Sequence, residues 1–362
     1  MLAATKWFIR GLTTYTKSSF EKKSTRFNSD DLQAIDYINT SFVVTGANSG
    51  IGYATALDLA RKGGIVHMIC RNKERGEEAL ARIVEQSGSN RIHLHIYDLA
   101  LQSEVVRMAR HFVDRGIRID VLILNAGVMM PMRSTTVEGH EVTFATNLLS
   151  PYLATSLLLD HLRDTHTNNT ANKARVIFVS SGGALTQRMT SDYEFVNMAG
   201  RRWNAVNTYA QTKRALIYLA DLFAERYSDY NTNFYSMHPG WVATPQLATA
   251  MPTFAVLTKR IQRTPEQGAD TIIWLAVSPT VESESGGFYE DRELTAKHLT
   301  KDTESTRDEI NQLWSYLGKC FQEAEQQPKD NDGEADQDDP KVSHQQDEEP
   351  AELVEGETHP NR

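Results

Sequence analysis

Cysteine is almost missing from this chain: 362 residues hold only Cys70 and Cys320, far apart in sequence. That excludes a disulfide framework and fits a reducing compartment. No unbroken apolar run of about 18 residues occurs, which argues against a spanning helix, and the start lacks the continuous apolar stretch of a secretory signal. Acid is missing too, up to Glu21: between Met1 and Asn28 six Lys and Arg face that one glutamate, a local charge of +5. Aromatic residues are missing from the last stretch, where 13 Asp and Glu between Glu325 and Arg362 give -10. The net charge of -9 therefore belongs to the tail, and the middle is close to neutral for its size. Nothing in that middle suggests a nucleic-acid-binding surface.

With 40% hydrophobic and 23% charged residues, the chain has the composition of an ordinary soluble globular protein with a sizeable core. Three parts are expected: a basic amphipathic segment over residues 1–36, a domain over 37–320 and a disordered acidic tail over 321–362. In the first, Trp7, Phe8, Leu12, Tyr15 and Phe20 stand among basic and hydroxyl residues. A helix there suits three uses: packing on the domain, lying on an anionic membrane surface, or, with the least weight, mitochondrial import. The tail cannot bury enough apolar area to offset its chain entropy.

From about Ser41 to Tyr289, short runs rich in Val, Ile and aromatics alternate with amphipathic stretches. FVVTG, IVHMIC, IHLHIYDL, DVLILNAG, RVIFVSS, NFYSMHPG and GFYED read as strands. Such alternation predicts a doubly wound parallel sheet of about seven strands, helices on both faces and ligands at the carboxyl edge.

The first strand runs into Thr45, Gly46, Ala47, Asn48, Ser49, Gly50, Ile51 and Gly52, and a helix follows. Glycines in such a turn let backbone approach a pyrophosphate, and the helix N-terminus offers free N–H groups. The second strand ends at Cys70, Arg71 and Asn72, with no acid to hold a ribose hydroxyl pair. Arg71 favours a 2′-phosphate, hence NADP(H) over NAD(H). Further on, Tyr209 and Lys213 share one face of a helix at i and i+4. An ammonium beside a phenol favours the phenolate and should lower its pKa toward the useful range. Ser181 closes a strand where its hydroxyl can hold a carbonyl or carbinol oxygen. Asn147 interrupts an apolar helix and needs a hydrogen-bond partner there, such as a water leading to Lys213. No metal-ligand cluster is expected.

These residues, in this order, resemble the short-chain dehydrogenase/reductase family over about residues 40 to 290. The family's TGxxxGxG loop stands as Thr45 to Gly52, its NAG element as Asn125, Ala126 and Gly127, and its tetrad as Asn147, Ser181, Tyr209 and Lys213. Pro239, Gly240, Val242 and Thr244 fall in its PGxxxT element, which the resemblance places at the nicotinamide. Asp98, with Leu99 beside it, matches the acid that contacts adenine. The resemblance implies an NAD(P)-dependent Rossmann-fold oxidoreductase in which Tyr209 and Lys213 also touch the cofactor. Relatives that include retinol and steroid dehydrogenases imply a lipophilic alcohol or carbonyl substrate. The helices around Asn147 and Tyr209 often form a dimer interface in the family, so a homodimer is a further expectation of the resemblance.

Between Thr244 and Thr264 an apolar insertion is expected to cover the site, with Leu247, Met251, Phe254, Val256 and Leu257 lining a pocket. Lys259, Arg260 and Arg263 would meet an acidic or phosphorylated head group, and the segment from Gly182 to Asn207 would form the opposite wall. Cytoplasmic residence, with membrane contact through the first segment, is the matching location. The rival readings are a dinucleotide-binding regulator without turnover and a membrane-recruited adaptor.

Overall fold

The computed structural model describes residues 2–33, 35–166, 173–189, 203–281 and 284–326. The acidic stretch beyond 326 and the middle of the Gly182–Asn207 segment lie outside them. Residues 1–326 form one compact unit.

Eight strands make one sheet in the order β3-β2-β1-β4-β5-β6-β7-β8. They are β1 (Ser41–Thr45), β2 (Ile65–Cys70), β3 (Ile92–Ile96), β4 (Val121–Leu124), β5 (Ala174–Val179), β6 (Thr232–Met237), β7 (Phe288–Glu290) and β8 (Glu293–Leu294). All pairings are parallel except β7 with β8. The antiparallel eighth strand is a two-residue edge, too short to leave a periodic signal in the sequence. The central strands β1, β4, β5 and β6 are buried along their whole length because helices cover both faces.

The strand order reverses between β1 and β4, so the loops leaving these strands diverge and open a crevice at the carboxyl edge. Helix α3 (Gly50–Arg61) follows β1, α4 (Lys73–Ser87) follows β2 and α5 (Gln102–Asp114) follows β3. A π-helical turn, Ala145–Leu149, leads into α6 (Ser150–His166). The stretch Val142–Thr165 is long and apolar enough to cross a membrane by length and composition alone, but 83% of its most apolar stretch is buried in the domain. It is a core helix that passes a membrane test, because only its surroundings separate the two.

Helix α7 (Ala205–Arg226) packs beside α6; α8 (Pro245–Ala250) and α9 (Pro252–Thr258) follow β6, and α10 (Pro265–Val277) covers the other face. The last helix, α11 (Arg307–Glu325), runs five residues beyond the boundary expected at residue 320. It does so because Leu313, Leu317, Cys320 and Ala324 continue one buried stripe on the core. Its Trp314 sits 5.4 Å from Tyr152 of α6 and 5.1 Å from Phe223 of α7. Helix α11 thus packs across both α6 and α7.

The first segment folds onto the domain as α1 (Leu2–Thr14) and α2 (Lys17–Ser24). Gly11 rests on Trp241 so closely that a Cβ there would lie 2.1 Å from the indole. The buried Arg263 guanidinium donates to the Thr14 carbonyl (2.7 Å) and pairs with Asp291 at 2.5 Å.

Candidate active site

The glycine turn is built by steric necessity. Gly46 and Gly50 have φ of 68° and 56°, conformations that disfavour any side chain. A Cβ on Gly52 would lie 2.4 Å from the Gly46 carbonyl oxygen, so α3 can approach the β1 turn only through glycine. Thr45 does not face the crevice; its hydroxyl accepts from Ala126 N–H (2.9 Å), and its carbonyl accepts from the Asn125 amide (2.9 Å). Thr45 and Asn125 thus rivet the two loops that flank the switch point. Ser49 starts α3 without a side-chain cap, which leaves the first helical N–H groups facing the cavity.

One cavity of ≈ 700 Å³ opens here. Gly46, Asn48, Ser49, Gly50, Ile51 and Gly52 line its floor. Arg71, Asp98 and Leu99 line the end beside β2 and β3, while Asn125, Ala126 and Gly127 line the middle. Pro239, Gly240, Val242 and Thr244 close the side beyond β6. Thr244 reaches the glycine turn itself, its methyl 3.2 Å from where a Gly50 Cβ would stand. Arg71 is exposed and has no ion pair among the described residues.

Ser181, Tyr209 and Lys213 line the same cavity. Ser181 caps the 3-10 turn Gly182–Thr186, accepting from Gly183 N–H (3.3 Å), and its hydroxyl stands beside the Tyr209 phenol. Lys213 Nζ lies 5.9 Å from the Tyr209 ring centroid and donates to the Val179 carbonyl at 2.8 Å. Helix α7 is held in register because Ser180 donates to the Lys213 carbonyl (2.6 Å), fastening the helix to the end of β5. Burial pushes the Tyr209 phenol up, and the Ser181 hydrogen bond pulls it the other way. Desolvation is the larger of these two effects on the phenol. The amine of Lys213 is itself pushed down to about 8 by burial.

Asn147 is fully buried and does not line the cavity. Its Oδ1 accepts from Val128 N–H (2.7 Å), and its Nδ2 donates to the Val128 carbonyl (2.8 Å) and Thr212 (3.2 Å). The extra residue of the π turn aims this amide at the loop after β4. A Cβ on Gly127 would stand 3.0 Å from Lys213 Nζ and 3.4 Å from Asn147 Oδ1, so that glycine keeps lysine and amide close.

The residues fit a dinucleotide: a glycine turn, an uncapped helix start, and an exposed cation where a ribose would lie. Residues 40–193 match the family model described as short chain dehydrogenase. The chain is 38% identical over 320 residues to "Dehydrogenase/reductase SDR family member 12" of Bos taurus, covering 87% of this chain and 97% of that one. It belongs to the short-chain dehydrogenase/reductase family. It is also 32% identical to "Retinol dehydrogenase 11" of Mus musculus, over 70% of this chain and 78% of the relative. The solved structure "Pseudomonas aeruginosa RhlG/NADP active-site complex" shares the fold at TM-score 0.55 and 23% identity, over 70% and 95% of the two chains. As a short-chain dehydrogenase/reductase, the chain is an oxidoreductase of alcohol and carbonyl groups that uses NAD(P).

The expected lid is corrected in part. Leu247, Met251 and Phe254 line the cavity, whereas Val256 and Leu257 are 73% and 80% exposed, on the outer side of α9. Arg263 is buried against Asp291, so it is closed to any substrate head group, while Lys259 and Arg260 are exposed. Of the opposite wall, Gly183, Thr186, Gln187, Val206 and Asn207 line the cavity. Sequence reasoning missed the π turn and missed Trp7, which lines this cavity from α1. The aromatic face of that helix was the available signal.

Proposed function

We propose that this oxidoreductase uses NADP(H) and interconverts an alcohol and a carbonyl on a lipophilic small molecule. One observation carries the reading: hydroxyl, phenol and amine of Ser181, Tyr209 and Lys213 meet on a single cavity that the glycine turn also lines. Arg71 supports the phosphorylated cofactor, since a guanidinium suits a 2′-phosphate and no acid stands at the end of β2. The apolar side chains of Leu247, Met251 and Phe254 support a lipophilic substrate, as do the retinol dehydrogenases among the relatives.

When bound, NADP(H) supplies or accepts the hydride. Ser181 fixes the substrate oxygen by hydrogen bonding, and Tyr209 delivers the proton to that oxygen in reduction or removes it in oxidation. A phenol with a raised pKa holds its proton at neutral pH, which suits the acid role. Lys213 places a positive charge near the phenolate formed after transfer and lowers the cost of that charge. Asn147 holds Val128, and its carbonyl oxygen keeps one lone pair for a water leading toward Lys213.

Location follows the same reading. Leu2, Phe8, Ile9 and Leu12 of α1 remain exposed beside basic residues, which supports contact of a cytoplasmic protein with an anionic membrane surface.

The experiment is reduction of a panel of lipophilic aldehydes and ketones with NADPH and with NADH. Turnover with kcat/KM about tenfold or more in favour of NADPH is expected, the scale of one charge-assisted contact. Cofactor binding without turnover of any member would point to a non-catalytic regulator.

A further inference from the structure

Helix α1 precedes the residues that match the family model, yet it reaches the cavity. Ala3, Trp7 and Gly11 fall at i, i+4 and i+8, on one line of the helix. Ala3 and Trp7 line the cavity, with Ala4 beside them, and Gly11 rests on Trp241. The Trp7 ring lies 5.6 Å from Trp241 and 6.2 Å from Phe254, while Trp241 and Phe254 meet edge to face at 5.1 Å. Three rings from three different parts of the chain thus bound the end of the cavity where Leu247 and Met251 also sit.

The placement is held from both ends of Trp7's surroundings. Trp241 N–H donates to the Tyr15 carbonyl (2.9 Å), and Lys17 N–H donates to the Ile261 carbonyl (2.8 Å). Arg10 pairs with Glu290 at 2.6 Å, and Arg263 holds the Thr14 carbonyl. An indole fixed by two aromatic neighbours loses little rotamer freedom when a ligand packs on it, so its face is an effective apolar contact.

We propose that α1 is a wall of the substrate cavity and that Trp7 is a specificity-determining residue for long or extended apolar substrates. This rests on the reading of the cavity as a lipophile site. Short substrates occupy the space near Ser181 and Tyr209 alone; longer ones reach the Trp7 face.

The test uses the full chain loaded with NADPH, and hexan-1-ol and dodecan-1-ol as probes, because an alcohol beside reduced cofactor cannot react. Calorimetry on wild type, Trp7→Ala and Trp7→Phe gives affinities, and reduction of hexanal and dodecanal gives kcat/KM. Trp7→Ala should weaken dodecan-1-ol by about tenfold or more, the scale of one aromatic face lost, with hexan-1-ol changed by less than about twofold. Trp7→Phe should keep most of the long-chain affinity, and NADPH affinity should stay the same in both variants. Equal loss for both alcohols, a parallel loss of NADPH binding, or no change in either variant would overturn the proposal. So would wild type that binds neither alcohol. If the alcohols bind as expected while neither aldehyde is reduced, the wall stands and the catalytic reading falls.

Discussion

The crevice beside Tyr209 and the seam beneath the N-terminal helices both bury charge, and they dispose of it differently. In the seam, charges meet partners: Arg263 pairs with Asp291, and Arg10 pairs with Glu290. Burial alone would raise the Glu290 carboxyl, but His238, Arg10 and Lys23 together hold it down at about 2. In the crevice, Lys213 pairs with no carboxylate among the described residues; its amine donates to the Val179 carbonyl, and burial brings its pKa down to about 8. Paired buried charge fixes structure, whereas unpaired buried charge stores a proton affinity that chemistry can use. Low dielectric thus acts twice in this protein, on ion pairs in the seam and on a lone amine in the crevice.

The contrast breaks if a crevice residue proves structural or a seam residue proves reactive. The largest effect is expected for Tyr209→Phe, which removes the proton but keeps the ring. Loss of general acid catalysis should lower kcat by about 10²–10⁴-fold, with NADPH affinity within about twofold of wild type. Steady-state kinetics with a turned-over aldehyde checks it, and a loss below tenfold would remove Tyr209 from the proton step. Next comes Arg263→Met in the seam. It leaves Asp291 buried without its main partner, which should cost about 3–5 kcal/mol in a urea unfolding titration. A variant as stable as wild type would show that the seam is not held by that pair.

How much of this was legible beforehand follows the same division. The glycine turn could be read because φ near +60° at Gly46 and Gly50 leaves glycine the only comfortable residue. Tyr209 and Lys213 could be placed on one face because the helical period fixes the relation of i to i+4. What could not be read depended on partners distant in sequence. Arg263 looked like a head-group ligand, since nothing local announces Asp291 or the Thr14 carbonyl. Val256 and Leu257 looked like pocket lining because apolarity in a two-turn helix does not say which side meets the cavity. The π turn at Ala145–Leu149 adds one residue to a helix without disturbing its apolar pattern, so the aim of Asn147 stayed hidden. Helix α1 has apolar residues on two faces, and only packing decided that Trp7 and Gly11 turn inward while Leu2 and Ile9 stay outside.

A smaller effect is expected at the mouth of the crevice, where charge is exposed and screened. Arg71→Ala should lower the NADPH-over-NADH preference by about tenfold, the scale of one charge-assisted contact to phosphate. The ratio of kcat/KM for the two cofactors measures it, and an unchanged ratio would assign the 2′-phosphate to another group.

The smallest effect sharpens the comparison most, because it predicts a gain in stability where catalysis is lost. Lys213 is protonated in the unfolded chain up to about pH 10.5 and in the folded one only up to about 8. Below pH 8 both states carry the proton, and the folded state bears the full desolvation cost, at most about 3 kcal/mol from such a shift. As pH rises from 8 to 10.5 the unfolded chain binds the extra proton, so wild-type stability increases across that window. Lys213→Met removes the buried charge but leaves the Val179 carbonyl without its donor, which returns about 1–2 kcal/mol. The variant should therefore be inactive yet about 1–2 kcal/mol more stable than wild type at pH 7, with the gap closing toward pH 10. Urea titrations at the two pH values decide it. A variant less stable by the same amount at both would mean that the lysine fastens the fold as Arg263 does, and the division between the two regions would disappear.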